Sequence, residues 1–166
     1  MKLPFLKSVP GEDPVIVEGV FNSSAARLFR AWTIPDEILR WFGPGDAPLL
    51  SARLDPRKGG LWEFAYSKRD GVQDVMTGEY VHVAQDEQLV FTWRHERRLS
   101  GGKVEKTLPS LVTVTFEDVE GGARLHLRHE RIVRERGRLG VGDGWSRSFA
   151  NLQRFVEHLA VDRVRR

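Results

Sequence analysis

The five histidines are the side chains in this sequence best suited to acid–base or metal chemistry. His126 and His129 lie three positions apart in the string His-Leu-Arg-His-Glu. Leu125 and Leu127 alternate with polar residues there, so this segment is predicted to be a strand. Positions three apart on a strand face opposite sides of the sheet, so the two imidazoles are not expected to bind one ion. We therefore predict no metal site.

His129 is predicted to lie on the inward, concave face of its strand. An imidazole titrates near neutral pH, so His129 is a candidate for orienting a polar group of a ligand or for acid–base catalysis. The alternative is a core histidine whose nitrogens bond to neighbouring groups. The sequence has no cysteine and no serine in a Gly-x-Ser-x-Gly context, so no nucleophile is indicated. No catalytic residue and no cofactor are predicted.

The glycine-rich stretch at residues 137–144 precedes the last helical pattern and has some features of a phosphate-binding loop. It lacks the Lys-Ser/Thr ending of such a loop, and no buried parallel strand leads into it. We interpret it as a flexible loop at the rim of a pocket.

The spacing of apolar side chains predicts the elements that position these residues. Strands are predicted at residues 15–21, from Pro48 to about Asp55, and at residues 61–67, 75–83, 88–95, 111–118 and 123–133. A short helix is predicted at residues 25–33. The alternation fails near Tyr80, which indicates either a partly covered outer face or a bulge near Gly78.

A second short helix is predicted at residues 35–42. Pro35 is suited to its first turn, and the pair Gly43-Pro44 ends it. A helix of this length is not stable alone in water. Trp41 and Phe42 must therefore pack against a core or against the wall of a cavity.

One long helix is predicted near the end of the sequence. Its apolar stripe is formed by Trp145, Phe149, Leu152, Val156 and Leu159. The order of elements predicts an α+β fold, in which a curved antiparallel sheet of about seven strands wraps around this helix. One helix about 10 Å wide cannot cover such a sheet. An aromatic-rich space is left between them, either filled by side chains or open to an apolar ligand.

Composition limits the classes of function. A length of 166 residues fits one domain, which we place at residues 14–162 behind an N-terminal arm at residues 1–13. The net charge of +3 gives no argument for nucleic-acid binding, and the arginine clusters are interleaved with acids, as in a salt-bridged surface. No apolar run suggests a signal peptide or a membrane span, so we expect a cytoplasmic protein without integral membrane association.

Several motifs in this order resemble a known superfamily. They are residues 23–33 after the first strand, Pro35-Asp36 with Leu39 and Trp41-Phe42-Gly43-Pro44, Asp55 with Arg57, Gly59-Gly60, Trp62 and Phe64, Gly78 with Tyr80, residues 89–93, and Gly144-Trp145. The chain resembles the START-like, birch-pollen-allergen-like (SRPBCC) superfamily, which has the helix-grip fold. Within it, the chain is most similar to the group related to the activator of the heat-shock-protein-ninety ATPase. The resemblance covers roughly residues 15–160.

This resemblance implies a hydrophobic pocket between the sheet and the long helix. We expect it to bind a small hydrophobic or amphipathic molecule without covalent chemistry. The predicted lining residues are Trp41, Phe64, Tyr66, Tyr80, Phe91, Trp93, His129, Trp145 and Phe149. One alternative is an aromatase/cyclase-type enzyme acting on a polyketide-like substrate in the same pocket. Another is a chaperone-interacting module, although the chain has no room for the extra N-terminal domain of the eukaryotic co-chaperones. A homodimer is a further alternative.

Overall fold

The computed structural model describes residues 4–43 and 49–165, with side chains through residue 158. Pro44, Pro48 and the side chain of Leu159 therefore lie outside the described residues. The helices and strands are β1 (Val15–Phe21), α1 (Ala25–Thr33), α2 (Pro35–Trp41), β2 (Leu49–Leu54), β3 (Leu61–Tyr66), β4 (Gln73–Ala84), β5 (Gln88–Arg98), β6 (Val104–Lys106), β7 (Ser110–Val119), β8 (Gly122–Glu130) and α3 (Glu135–Arg165). A short 3₁₀ turn at Ser100–Gly102 joins β5 to β6.

The strands form one curved, unclosed antiparallel sheet in the order β1-β8-β7-β5-β4-β3-β2. The short strand β6 pairs with the far end of β5, opposite Glu96–Arg98. The predicted α+β helix-grip architecture is confirmed, including the two short helices after the first strand. Strand β6 was not predicted, because its side chains are all exposed and carry no burial pattern.

The start of the last helix differs from the sequence-based prediction. Helix α3 begins at Glu135, so the flexible loop predicted at residues 137–144 is wrong. Glycine disfavours a helix by roughly 1 kcal/mol relative to alanine, and four glycines in eight residues suggested a loop for that reason. Tertiary contacts outweigh this cost. A side chain at Gly142 would already lie 3.5 Å from the Leu6 methyl and 3.6 Å from that of Val15, so the helix backbone packs closely on β1 and the arm.

The first turn of α3 is further fixed by Arg138. Its guanidinium donates hydrogen bonds to the carbonyl oxygens of Gly11, Ile132 and Val133, at 2.6, 2.9 and 3.1 Å. One side chain thus joins the helix to the arm and to the connection that follows β8.

The predicted irregularity in β4 is present as a shift in pairing with β5 between Tyr80 and His82. Gly78 lies close by and permits a close approach. The Trp62 indole crosses it and donates a hydrogen bond to the Thr92 carbonyl oxygen at 3.2 Å. A Cβ on Gly78 would lie 1.9 Å from that same oxygen, so only glycine fits.

The N-terminal arm packs on the sheet over its described part, residues 4–13. The Lys7 amide donates to the carbonyl of Ile16, and the Glu18 amide donates to that of Phe5. The Phe5 ring stacks on Phe21, with centroids 6.1 Å apart. Backbone hydrogen bonds and ring packing therefore hold the described part of the arm on β1.

Several surface arginines form ion pairs, as the sequence predicts. Arg97 pairs with Asp74, and Arg128 pairs with Glu130 at 2.9 Å. Arg124 lies 3.3 Å from Glu117. These ion pairs are partly exposed to solvent, so each contributes little stability.

Candidate functional site

A cavity of about 760 Å³ lies between the sheet and the first half of α3. This volume is typical of sites for small molecules. The ends of β3 and β5, the start of β7, the end of β8 and the connection into α3 surround it. Its apolar lining is formed by Phe42, Met76, Trp93, Leu108, Ile132, Val133, Val141 and Trp145.

Three of the seven α3 residues that line this cavity are glycines. Gly137, Gly140 and Gly144 all line it, at the i, i+3, i+7 spacing that puts three residues on one helix face. A Cβ built on Gly140 would meet no atom within 4 Å. The space beside the helix backbone is therefore open at Gly140.

His129 lies in the deep wall of the cavity and is fully buried. The Trp145 indole N–H donates to His129 Nδ1 at 3.1 Å. Because an indole nitrogen can only donate, Nδ1 is the acceptor and the ring proton resides on Nε2. Nε2 lies 2.7 Å from Ser110 Oγ, and that hydroxyl lies 3.3 Å from the Trp93 carbonyl oxygen. The imidazole thus has a partner at both nitrogens.

Burial lowers the pKa of His129 to about 3, because a charged imidazole would lose its hydration there. The ring is neutral at physiological pH. Of the two roles left open by the sequence, the geometry corresponds to a core histidine bonded to its neighbours.

The mouth of the cavity carries a second histidine that the sequence did not single out. His95 Nε2 lies 2.8 Å from Asp74 Oδ1, and both side chains are about one-third exposed. The pairing could not be read from spacing, because β4 and β5 place these residues on neighbouring strands 21 positions apart. Burial, and then the charge of Asp74, raises the pKa of the nearby Tyr66 phenol to about 12.

Basic side chains form the remainder of the mouth. Lys106, Arg134 and Arg136 line it, and all three are exposed. Lys106 Nζ lies 3.7 Å from Glu96 Oε1. Within the described residues, Arg134 and Arg136 form no ion pair.

The nine predicted lining residues divide into three groups. In the cavity wall lie Tyr66, Trp93, His129 and Trp145. A second space, a residual void of only about 20 Å³, has room for about one water. It is lined by Trp41, Phe64, Tyr80 and Phe91. Phe149 is fully buried and packs on Phe21 with ring centroids 5.8 Å apart. Burial, and then Asp55, raises the pKa of Tyr80 far above its ordinary value.

Phe42 separates the solid aromatic core from the open cavity. It lines both spaces, and its ring centroid lies 4.9 Å from that of Phe64 and 5.8 Å from that of Trp145. Helix α3 fixes this boundary. The Asn151 amide donates to the Gly43 carbonyl at 2.9 Å. Trp41 lies on the core side, where its indole N–H donates to the Ala31 carbonyl at 2.8 Å.

His126 and His129 lie on opposite sides of β8, and His126 bonds to Glu18 at 2.6 Å. In the described part of the chain, no three His, Asp or Glu side chains come together as a metal site would require. Across the same residues, no helix has the length and apolar character needed to cross a membrane.

The sheet, the three helices and the cavity beneath the last helix define a helix-grip protein. The chain belongs to the family described as Activator of Hsp90 ATPase homolog 1-like protein, whose sequence profile matches residues 22–157. The resemblance inferred from the sequence motifs is therefore confirmed.

Solved structures share this fold. A protein from Rhodobacter sphaeroides aligns with a TM-score of 0.74 and 19% identity, over 93% of this chain and 99% of that one. The AHSA1 protein from Silicibacter pomeroyi aligns with a TM-score of 0.71 and 23% identity, over 90% of this chain and 99% of that one. An AHSA1-like protein from Aeromonas hydrophila aligns with a TM-score of 0.72 and 21% identity, over 89% of this chain and 94% of that one. No curated protein matches the chain in sequence.

Proposed function

We propose that this protein binds a small hydrophobic or amphipathic molecule in the cavity between the sheet and α3, without covalent chemistry. The observation that carries the proposal is the 760 Å³ cavity under a helix face of three glycines. Apolar side chains supply most of its wall, and burial of apolar ligand surface against them favours binding.

The chemistry of the deep wall supports binding rather than catalysis. His129 is neutral, and its two nitrogens bond to Trp145 and Ser110. An imidazole that gives both nitrogens to protein partners cannot take a substrate proton without breaking this chain. Its neighbours instead give the wall a fixed shape. A cytoplasmic location remains part of this proposal.

Filling the cavity tests the proposal. In Gly140→Leu the new side chain extends from a position with free space, whereas Gly140→Ala adds one methyl group. Alanine and leucine are both strong helix formers, so the pair differs chiefly in cavity volume. Tryptophan emission reports binding, because Trp93 and Trp145 line the cavity. A library of fatty acids, flavonoids and polyketide-like aromatics supplies the ligands.

We expect Gly140→Leu to weaken the best ligand about ten-fold or more relative to Gly140→Ala, a loss of about 1.4 kcal/mol. Equal affinities of the two variants would place the ligand elsewhere. A complete lack of response across the library would contradict the proposed function.

An acid–base enzyme of the aromatase/cyclase type is the second candidate, and the His95–Asp74 contact favours it. A carboxylate that holds an imidazole in one orientation is a recurrent arrangement for proton transfer. In this candidate His95 moves a proton, and the Tyr66 phenol, which stays protonated, donates a hydrogen bond to a substrate oxygen.

Deuterium exchange at the methyl group of an aryl methyl ketone in D₂O distinguishes the two candidates. Exchange above the buffer rate that is lost in His95→Gln supports the enzyme. Exchange at the buffer rate, with a ketone that still changes tryptophan emission, supports the binder.

A further inference from the structure

The charged side chains that line the cavity are all basic. Its lining includes four basic residues, namely His95, Lys106, Arg134 and Arg136, and no Asp or Glu among the described residues. An unbalanced set of cations at the opening of an apolar cavity raises the local concentration of anions.

The four basic residues differ in how far they are already neutralised. His95 bonds to Asp74, and Lys106 lies 3.7 Å from Glu96. Arg134 and Arg136 have no such partner in the described chain. Glu135, between them in sequence, lies against the arm, since a Cβ on Gly11 would be 3.1 Å from its Cγ. The two arginines therefore carry the uncompensated charge of the mouth.

The arginine and aromatic side chains of the cavity lining differ in exposure. Trp93, Trp145 and Met76 line its interior, whereas Arg134 and Arg136 are exposed at its opening. The N-terminus of α3 lies at the same edge and adds partial positive charge there. A ligand that matches both regions has an apolar body and a negatively charged end.

We propose that the ligand of this cavity is an anionic amphiphile, whose carboxylate or phosphate end binds Arg134 and Arg136 at the mouth while its apolar body lies between the sheet and α3. The inference rests on the proposed function and names the class of its ligand. Guanidinium groups suit this role, because their forked donors match carboxylate and phosphate oxygens.

The test compares four ligands with the same twelve-carbon chain, each kept below the concentration at which it forms micelles. They are dodecanoate, dodecyl phosphate, dodecanol and dodecyltrimethylammonium, titrated by tryptophan emission. The double variant Arg134→Gln/Arg136→Gln removes the proposed anion site. The matched control is Arg30→Gln/Arg40→Gln, which removes the same charge from exposed positions of α1 and α2 outside the cavity lining.

We expect one or both anions to bind wild type about three- to ten-fold more tightly than dodecanol, and the cation to bind most weakly. Added salt should reduce this preference, since the rim is exposed. The Arg134/Arg136 variant should lose the preference while its affinity for dodecanol is unchanged, and the control should keep it. A preference for one anion identifies the head group as carboxylate or phosphate.

Two results would overturn the inference. If dodecanol binds as tightly as both anions, the inference about the head group is wrong, although the proposed function still stands. An anion preference that survives in the Arg134/Arg136 variant would show that the head group lies elsewhere. Failure of all four ligands to bind would contradict the proposed function itself.

Discussion

His129 shows how one buried residue can be committed entirely to its neighbours. The indole of Trp145 occupies Nδ1, and the hydroxyl of Ser110 occupies Nε2. A second ring proton would point at an N–H donor, and it would add charge where water is absent. Both effects oppose protonation, although only burial is needed to lower the pKa to about 3.

This pKa makes the stability of the fold sensitive to acid. In the unfolded chain an imidazole titrates near pH 6.5. Below that pH the unfolded state binds a proton that the folded state does not, until the pH approaches 3. The free energy of unfolding should therefore fall by up to about 1.4 kcal/mol per pH unit below about pH 6.5 from His129 alone. Above that pH this contribution to the slope vanishes.

The substitution His129→Gln removes this titration and keeps every other ionisable group. We expect the variant to be less stable at about pH 7.5, since it loses a hydrogen-bonded core side chain, and the gap to shrink towards about pH 4.5. Urea unfolding of both proteins across this range measures the gap. Parallel pH profiles would show that folding does not shift the pKa of His129.

At the scale of elements, the contact between β3 and β4 depends on a missing Cβ. Trp62 reaches across Gly78 to the Thr92 carbonyl, and it joins the aromatic core through Phe64 and Phe91, at 4.9 and 5.6 Å between ring centroids. A larger residue at position 78 displaces either the indole or the strand pairing.

We therefore expect Gly78→Ala to lower the free energy of unfolding by about 2–3 kcal/mol. Gly140→Ala is the matched control, because its methyl group meets open space on a helix and should stabilise by up to about 1 kcal/mol. Urea unfolding gives both values. Similar effects of the two substitutions would contradict the assigned close contact.

The sequence predicts some elements better than others. The difference depends on whether local signals or tertiary contacts determine where an element begins and ends. The β1 and α1 ranges agree with their prediction, because β-branched alternation marks the first and the Ser24 hydroxyl caps the second by accepting from the Arg27 amide. The first half of α3 was missed, because its order comes from Arg138 and from close packing of Gly142, which are tertiary contacts.

At the scale of the whole molecule, the aromatic interior has a solid end and an open end. The sequence predicts that a curved sheet and one helix leave a space, and it names aromatic side chains for that space. It could not assign Trp41 to the solid end and Tyr66 to the open end, because this depends on how α2 and β3 lie relative to α3. Moreover, the cavity depends on the absence of side chains at the glycines of α3, whereas the sequence-based prediction considered only the aromatic side chains that could line a space.

The same glycines predict an uneven stability along α3. Residues 137–144 contain four glycines, whereas residues 149–156 include the buried Phe149, Leu152 and Val156. Amide hydrogen exchange should therefore be faster in the first segment than in the second. A ligand bound against the first segment should slow its exchange and leave the second unchanged. Uniform protection along the helix would contradict this gradient.

A cavity wall made from a glycine-rich part of a helix also affects the kinetics of ligand uptake. No separate lid is required, since transient unwinding of the first turns of α3 would widen the mouth while Phe149, Leu152 and Val156 hold the rest of the helix in place. Gly140→Ala should then slow both association and dissociation while hardly changing the equilibrium between them. Stopped-flow tryptophan emission would measure the two rates, and an unchanged association rate would mean that ligands use the mouth as it stands.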